Sequence, residues 1–243
     1  MLTEPTVNKL LGMKLDAMAA AWQEQGKSPK HDELCFDERL GLLVDAEWSA
    51  RESRRLERGL REAKLKIAAA CVEDIDYPPR RELEKAVIRD LSSCRWIEEH
   101  LNVLVTGATG VGKTYVACAL GHLAVRRGYR VLYRRATRLF DEMHLARADG
   151  SSARLLSKLV RADVLILDDF ALTQLRESDR EHLLEVLEDR VGSRSTVLTS
   201  QLPPSKWHEY LGEPTIADAI CDRLVHRSHR LVLKGPSRRK EAQ

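Results

Sequence analysis

One stretch of the sequence has the residue types and spacing of a phosphate-binding loop. It follows the pattern GxxxxGK[ST], in which glycines let backbone N–H groups turn inward toward phosphate oxygens. We expect the Lys113 ammonium group to bind the β- and γ-phosphates of ATP and the Thr114 hydroxyl to bind Mg²⁺. An apolar strand precedes the loop and a helix follows it, which disfavours a chance match. The expected ATP-binding residues here are Gly107, Ala108, Thr109, Gly110, Val111, Gly112, Lys113, Thr114 and Tyr115.

An acidic pattern farther along the chain completes such a site. The apolar run at 164–167 ends in two adjacent aspartates, Asp168 and Asp169. In P-loop proteins an acid at the end of a buried strand holds Mg²⁺, and a second acid can polarise the attacking water. We therefore expect Asp168 to hold the metal and Asp169 to act as the general base. Two carboxylates that close a buried strand are costly unless they face a cation, which favours this function over a structural one.

The elements that must position these groups alternate between strand and helix from about residue 100 onward. This alternation predicts an α/β fold with a parallel sheet covered by helices on both faces. Residues 1 to about 70 instead show helical periodicity and predict three helices, the second near 36–44 and the third near 56–67. The sequence DYPP at 76–79 indicates a linker. We therefore predict an α-helical domain at 1–72 and a nucleotide-binding domain at 73–243. The expected strands are 101–106, 130–133, 163–167, 196–199 and 230–233.

Basic residues are concentrated in two segments. The net charge is only +3, yet residues 51–66 hold seven basic and three acidic residues, and residues 223–240 hold seven basic residues and no acid. Such segments favour an anionic partner, nucleic acid first, although each alone could equally be a solvated surface. In the first segment the arginines recur at steps of three and four, as needed to follow a phosphate backbone. The arginines expected to bind DNA there are Arg51, Arg54, Arg55 and Arg58.

The composition excludes several other classes of protein. Hydrophobic residues make up 43% of the chain and charged residues 32%, which is typical of a globular protein. The apolar runs are too short to cross a membrane and the first residues do not resemble a signal peptide, so we expect a cytoplasmic protein without a membrane partner. The five cysteines include no CxxC pair, which argues against a zinc site or a disulfide framework.

Together the two motifs resemble those of the AAA+ ATPases, and three further segments narrow the resemblance. LILDDFAL at 165–172, TSQLPPSKWHEYL at 199–211 and DAICDRL at 218–224 are similar to the IstB-like family. These are ATP-dependent helper proteins of bacterial insertion sequences, related to the helicase loader DnaC and more distantly to the initiator DnaA. The resemblance covers most of the chain. It implies a five-stranded parallel sheet of 51432 order after a small helical domain. Since the chain ends soon after the last strand, we expect no C-terminal helical lid.

The resemblance also implies roles for three more residues. Gln201 matches the sensor-1 position, which contacts the γ-phosphate or the attacking water. Arg223 matches an arginine finger, which reaches the γ-phosphate bound by a neighbouring subunit. Arg239 matches a terminal arginine that contacts the nucleotide as sensor 2, with Arg238 as the alternative. The plainer alternatives are, respectively, a polar residue at a helix entry, an ion pair with Asp222 and a basic tail.

The position after the magnesium aspartate departs from the family pattern. AAA+ proteins usually have glutamate there, whereas this chain has Asp169, which is one methylene shorter. We therefore expect slow hydrolysis. In the related proteins the segment after the second strand lines the path of DNA. The resemblance thus implies phosphate contacts by Arg134, Arg135 and Arg138.

The function implied by the resemblance is that of a DNA-stimulated ATPase. It would form a homo-oligomer on double-stranded DNA with ATP and recruit or activate the transposase of the same insertion sequence. A helicase loader similar to DnaC, which would prefer single-stranded DNA, is the main alternative. A P-loop kinase is a third possibility, but it leaves Arg223 and the helical domain without a role.

Overall fold

The structure, a computed structural model, describes residues 3–27 and 33–238. By its internal contacts the chain divides into two compact units, residues 1–58 and residues 59–243. Residues 59–72 thus belong to the second unit. The domain boundary expected between residues 72 and 73 lies later in the chain than the division between these units at residues 58 and 59, and it stays a prediction.

The first unit is helical, as expected. Within it, α1 and α2 pack through Val7, Leu10 and Ala19, with Leu15 and Met18 beside them. The helices are α1 (Thr3–Gly12), α2 (Asp16–Gln25) and α3 (Phe36–Ala63), of which α3 continues into the second unit.

The prediction of two separate helices in the span of α3 was wrong. The structure has one helix of 28 residues there. Residues 45–55, which join the two predicted helices, contain neither glycine nor proline, so nothing in this stretch ends the helix.

The amino-terminal end of α2 is capped by a side chain from α3. The buried Glu47 carboxylate accepts the backbone N–H groups of Ala17 at 3.0 Å and Met18 at 3.1 Å. An anionic acceptor at the positive end of a helix dipole stabilises the helix. Arg51 and Arg54 bind the same carboxylate at 2.8 Å and 3.2 Å. Two of the arginines expected to contact DNA therefore have a structural role in this unit.

The second unit is built on a five-stranded parallel sheet. Its strands are β1 (Asn102–Gly107), β2 (Val131–Arg135), β3 (Val164–Phe170), β4 (Ser195–Ser200) and β5 (Ser228–Leu233). The strands pair in the order β2-β3-β4-β1-β5, which confirms the 51432 order when read from the other edge. β1, β3 and β4 are buried along almost their whole length, as expected of a parallel sheet with both faces covered.

Helices of the second unit pack on this sheet. Leu104, Leu165 and Leu198 of the strands share a core with Leu183 and Leu224 of two helices. The carboxyl ends of parallel strands meet at one edge, so β1, β3 and β4 bring the phosphate-binding loop and the residues after it together. The helices are α4 (Lys85–Leu91), α5 (Arg95–Glu98), α6 (Lys113–Arg126), α7 (Ala136–Ala148), α8 (Ser152–Arg161), α9 (Glu177–Arg190), α10 (Trp207–Leu211) and α11 (Pro214–Val225).

Within residues 3–27 and 33–238, no helix has both the length and the apolar character needed to cross a membrane. The expected lack of a helical lid after β5 stays a prediction.

Candidate nucleotide-binding site

The phosphate-binding loop connects β1 to α6, as predicted. Gly110 and Gly112 have φ angles of +87° and +96°, which residues with a Cβ rarely adopt. A Cβ at Gly112 would also lie 2.7 Å from Nη2 of Arg81. Since α6 begins at Lys113, its first N–H groups and the positive end of its dipole lie where the loop would hold phosphate.

The Lys113 side chain is held at this loop. It is buried, and its Nζ donates to the carbonyl oxygens of Gly107 and Ala108, each at 2.8 Å. Both acceptors lie in the GxxxxGK[ST] motif, at the end of β1 and the start of the loop. The ammonium group therefore supplies a positive charge next to the backbone N–H groups that would bind phosphate.

Asp168 joins the loop to the strands on either side of β3. Its fully buried carboxylate accepts the hydroxyls of Thr114 at 2.9 Å, Thr199 at 2.6 Å and Tyr133 at 2.6 Å. Burial and this bond raise the pKa of Tyr133, which keeps its hydroxyl a donor. Nζ of Lys66 lies 3.7 Å from the same carboxylate. Carboxylate and hydroxyl oxygens are ligands that Mg²⁺ prefers, so Thr114 and Asp168 fit the metal site expected from the sequence.

A β-bulge sets Asp169 apart from Asp168. The pairing of β3 with β4 shifts register between Leu167 and Phe170, and Asp169 has a φ of +59°. Its backbone N–H donates to Oγ1 of Thr199 at 2.9 Å, which holds the bulge in place. Bulges re-aim side chains at the ends of strands. As a result Asp169 lines the nucleotide cavity described below, whereas Asp168 has no exposed surface.

An arginine at the end of β2 is paired with Asp169. Nε of Arg135 lies 3.0 Å from Oδ2 of Asp169, although its N–H does not point along a hydrogen bond. The Asp169 side chain is only 19% exposed, so water screens this pair incompletely. The expected general base is therefore engaged by a cation in this conformation.

A cavity of about 510 Å³ lies beside the loop, a volume in the range of small-molecule sites. Ile67 and Asp74 also line it, and the motifs gave no sign of them because they lie far from the loop in the sequence. Gln201, which directly follows β4, lines it as well, a position compatible with the expected sensor-1 role. The lining residues that the sequence analysis predicts are Thr109, Gly110, Gly112, Lys113, Thr114, Tyr115, Asp169 and Gln201.

The segment after β5 reaches the same cavity. Arg239, the expected sensor-2 residue, lies outside the described residues. Its alternative, Arg238, lines the cavity and donates its backbone N–H to the carbonyl oxygen of Gly110 at 3.0 Å. The Arg238 guanidinium bonds both carboxylate oxygens of Asp76, which holds the pKa of that carboxyl below its usual value.

Arg223 lies at the opposite end of β1 from the loop. Nδ2 of Asn102, the first residue of β1, donates to the carbonyl oxygen of Arg223 at 2.8 Å. The loop begins after Gly107, and a rise of about 3.3 Å per residue separates the two ends of the strand by roughly 17 Å. The Arg223 guanidinium pairs with Glu188 at 2.8 Å, and not with Asp222 as the plainer alternative expected.

A basic cleft, defined by Lys64, Lys66, Arg135 and Arg138, lies beside Tyr133. Its volume is about 440 Å³. Arg138 is exposed there, and the two lysines belong to the basic segment noted in the sequence. All three arginines expected after β2 to contact DNA line the cleft, and so does one acid, Glu142.

Arg134 forms part of the cleft wall, but its guanidinium is already paired within the protein. Its side chain is 9% exposed, and its guanidinium donates to Glu142 at 3.0 Å and to the carbonyl oxygen of Tyr133 at 2.8 Å. This arrangement does not support the expected phosphate contact by Arg134. In the first unit, Arg55 pairs with Glu52 at 3.6 Å and Arg58 is exposed.

A protein-family model matches nearly the whole chain. Residues 8–243 match the family described as IstB-like ATP binding protein. A protein of Sinorhizobium fredii named as an insertion sequence ATP-binding protein is 49% identical over 240 residues, which cover 99% of this chain and 98% of that protein. A protein of Pseudomonas fluorescens named as an ATP-binding protein of insertion sequence IS1162 is 51% identical over 205 residues, 84% of this chain and 89% of that protein.

Solved structures share this fold over about two thirds of the chain. The DnaC helicase loader matches with a TM-score of 0.56 and 19% identity, over 68% of this chain and 97% of that one. DnaI matches with a TM-score of 0.61 and 20% identity, over 68% and 92% of the two chains. A replication initiator DnaA bound to AMPPCP and single-stranded DNA matches with a TM-score of 0.57 and 17% identity, over 69% and 50%. The fold is therefore that of the DnaC- and DnaA-like AAA+ proteins.

Proposed function

Because the chain belongs to the family of IstB-like ATP-binding proteins, we propose that it is a DNA-stimulated ATPase that assists transposition. In its ATP-bound form several copies assemble on double-stranded DNA. The assembly then recruits or activates the transposase of the same insertion sequence. The two relatives of about half-identical sequence, both named for insertion sequences, support this role.

The proposed reaction is hydrolysis of ATP to ADP and phosphate. Lys113 binds the β- and γ-phosphates, and Thr114 and Asp168 hold Mg²⁺, which neutralises charge on the phosphates. Asp169 orients the attacking water and accepts its proton, and Gln201 contacts the γ-phosphate or that water. The 2.9 Å contact between the Thr114 hydroxyl and Asp168 supports this assignment, since it joins the two expected metal ligands.

Arg223 acts on the nucleotide of a neighbouring copy. Because Arg223 lies at the far end of β1, it is out of reach of the loop that follows Gly107 in the same chain. Arg194 and Arg227 line a cavity of about 280 Å³ together with Arg223, and the one acid among its described lining residues is Asp222. A cationic surface of this kind suits the triphosphate bound by a second copy. ATP is thus shared at an interface between two copies.

One observation carries the DNA dependence of the proposal: cations of the basic cleft touch both catalytic carboxylates. Arg135 lies 3.0 Å from Asp169, and Lys66 lies 3.7 Å from Asp168. A phosphate backbone in the cleft would attract the same two cations. When Lys66 moves toward DNA, Asp168 is released for Mg²⁺, and when Arg135 moves toward DNA, Asp169 is released for water. DNA binding therefore raises the rate of hydrolysis.

ATPase rates with double-stranded, single-stranded and no DNA test this proposal, together with electron microscopy in ATP and in ADP. We expect double-stranded DNA to stimulate most, and the stimulation to fall with salt as phosphate contacts are screened. ATP should give DNA-bound oligomers that ADP does not. A rate independent of DNA, or no oligomer with ATP, would contradict the proposal.

Mixing two inactive variants tests the shared site. Lys113→Ala removes the loop lysine and Arg223→Ala removes the finger, so each alone should be inactive. In a random equal mixture, about a quarter of the interfaces that form join an intact loop to an intact finger, so up to about a quarter of the wild-type rate should return. Lys113→Ala mixed with Asp168→Asn is the matched control, because both changes affect the same half-site. Recovery in neither mixture would argue against a trans finger.

A helicase loader is the second candidate, because DnaC and DnaI share the fold. A pull-down with the transposase of the same element and with a replicative helicase separates the two. Retention of the helicase alone, with stimulation by single-stranded DNA, would favour the loader.

A further inference from the structure

Two segments that the nucleotide motifs do not include lie against the phosphate-binding loop. They are the turn at residues 79–82 and the segment after β5. The backbone N–H of Lys234 donates to the carbonyl oxygen of Arg81 at 3.0 Å, and that of Arg238 donates to Gly110 at 3.0 Å. These bonds tie both segments to each other and to the loop.

One carboxylate serves an arginine from each segment. Asp76 bonds the Arg238 guanidinium through both of its oxygens. Nη1 of Arg81 reaches the same residue, at 2.9 Å from its carbonyl oxygen and 3.3 Å from Oδ1. Two cations therefore share one anion beside the loop.

The two arginines differ in how completely their charge is satisfied. Arg81 is 3% exposed, and its Nε and Nη2 are buried without a hydrogen-bond partner. Burial, and next the charge of Arg238, lower the pKa of Arg81. A buried guanidinium with unpaired N–H groups is unfavourable, and a second oxygen of Asp76 would relieve it.

Arg238 is placed to leave Asp76. Its side chain is 41% exposed and lines the nucleotide cavity. A bound triphosphate would offer this guanidinium an anion of higher charge than a single carboxylate. Arg81 differs in this respect, because its Nη2 is buried near Gly112 and its side chain does not line the cavity.

We propose that nucleotide binding exchanges the partner of Asp76, so that Arg238 turns to the nucleotide while Asp76 becomes the counter-ion of Arg81. Asp76 and Arg81 are then positioning residues: they do not touch the nucleotide but set how readily Arg238 does. The proposal rests on ATP binding at the loop. Through this exchange, the side-chain pairing of the turn at 79–82 and of the segment after β5 changes when nucleotide occupies the site.

Calorimetric titration of the full-length protein with ATPγS and Mg²⁺ tests the exchange. In Arg81→Met, no arginine is left to pair with Asp76 when Arg238 leaves it. Arg238 should therefore stay bound to Asp76, and the Kd for ATPγS should rise about tenfold. Arg238→Gln should raise the Kd by a similar factor. The double variant should be no weaker than the single variants, since both changes remove one process. Arg80→Met, the exposed neighbour in the same turn, is the matched control and should leave the Kd within about twofold.

Two results would overturn the exchange. One is a double variant whose Kd rises by the product of the two single factors, which would mean independent effects. The other is an unchanged Kd for Arg81→Met. A wild-type protein that binds no ATPγS would instead overturn the proposed function. Replacing a buried, partly paired arginine by methionine is often tolerated. Should Arg81→Met fail to fold, melting temperatures of Asp76→Asn, Arg238→Gln and their double variant give the same answer. Without nucleotide, the effects of Asp76→Asn and Arg238→Gln on the melting temperature should not be additive, because the two residues are paired. With ATPγS the two effects should become additive, and non-additivity unchanged by ATPγS would refute the exchange.

Discussion

Replacing Arg135 by glutamine should release the catalytic carboxylate without DNA. In the structure the Arg135 guanidinium lies 3.0 Å from the Asp169 carboxylate, at the end of the basic cleft. A neutral side chain there removes the cation that competes with water for Asp169. We therefore expect a higher ATPase rate in the absence of DNA and a weaker stimulation by it.

The size of the effect follows from distance and exposure. Two unit charges 3.0 Å apart attract by about 5 kcal/mol at an effective dielectric constant of about 20. The Arg135 side chain is 41% exposed, and exposed pairs are worth no more than about 1 kcal/mol. A partly screened pair between these limits contributes about 1–2 kcal/mol, which corresponds to a rate about 5- to 30-fold higher.

Steady-state ATPase measurements with and without double-stranded DNA check this expectation. The DNA-free rate of Arg135→Gln should rise by the factor above, and the stimulation ratio should fall by about the same factor, as both measure one contact. Arg138→Gln, in the same cleft but not paired with either carboxylate, is the comparison. It should weaken DNA binding without raising the DNA-free rate. A DNA-free rate of Arg135→Gln at or below that of the wild type would refute the reasoning.

Three further changes test the site itself. Lys113→Ala should abolish both ATP binding, measured by calorimetry, and the ordered assemblies on DNA seen by microscopy; assemblies that persist would separate the two. Asp169→Glu, which adds a methylene, should raise kcat by up to about tenfold if water positioning limits hydrolysis, and an unchanged kcat would place the limit elsewhere. Tyr133→Phe removes the 2.6 Å bond to the buried Asp168, and chemical denaturation should show a loss of about 1–3 kcal/mol in the free energy of unfolding.

The sequence alone determined the phosphate-binding loop, the two aspartates after β3 and the alternation of strands and helices. These features depend on local patterns: glycines at fixed spacing, apolar runs of strand length and turns between them. The family resemblance supplied the 51432 order, since no periodicity in one chain says which strands become neighbours. Helical periodicity likewise predicted the helical unit. It did not predict the length of α3, because apolar periodicity is weak in the middle of that helix and was interpreted as a gap between two helices.

Only the tertiary structure decided which charges meet. Arg135, Lys66 and Arg81 have no motif of their own, and their importance comes from distances of a few ångströms to groups far away in the sequence. Burial likewise separated Arg134, whose guanidinium is paired within the protein, from Arg138, which is exposed in the cleft four residues later. The physical reason is that local sequence patterns specify elements, whereas the free energy of a charge depends on which partner and how much water the folded chain leaves beside it.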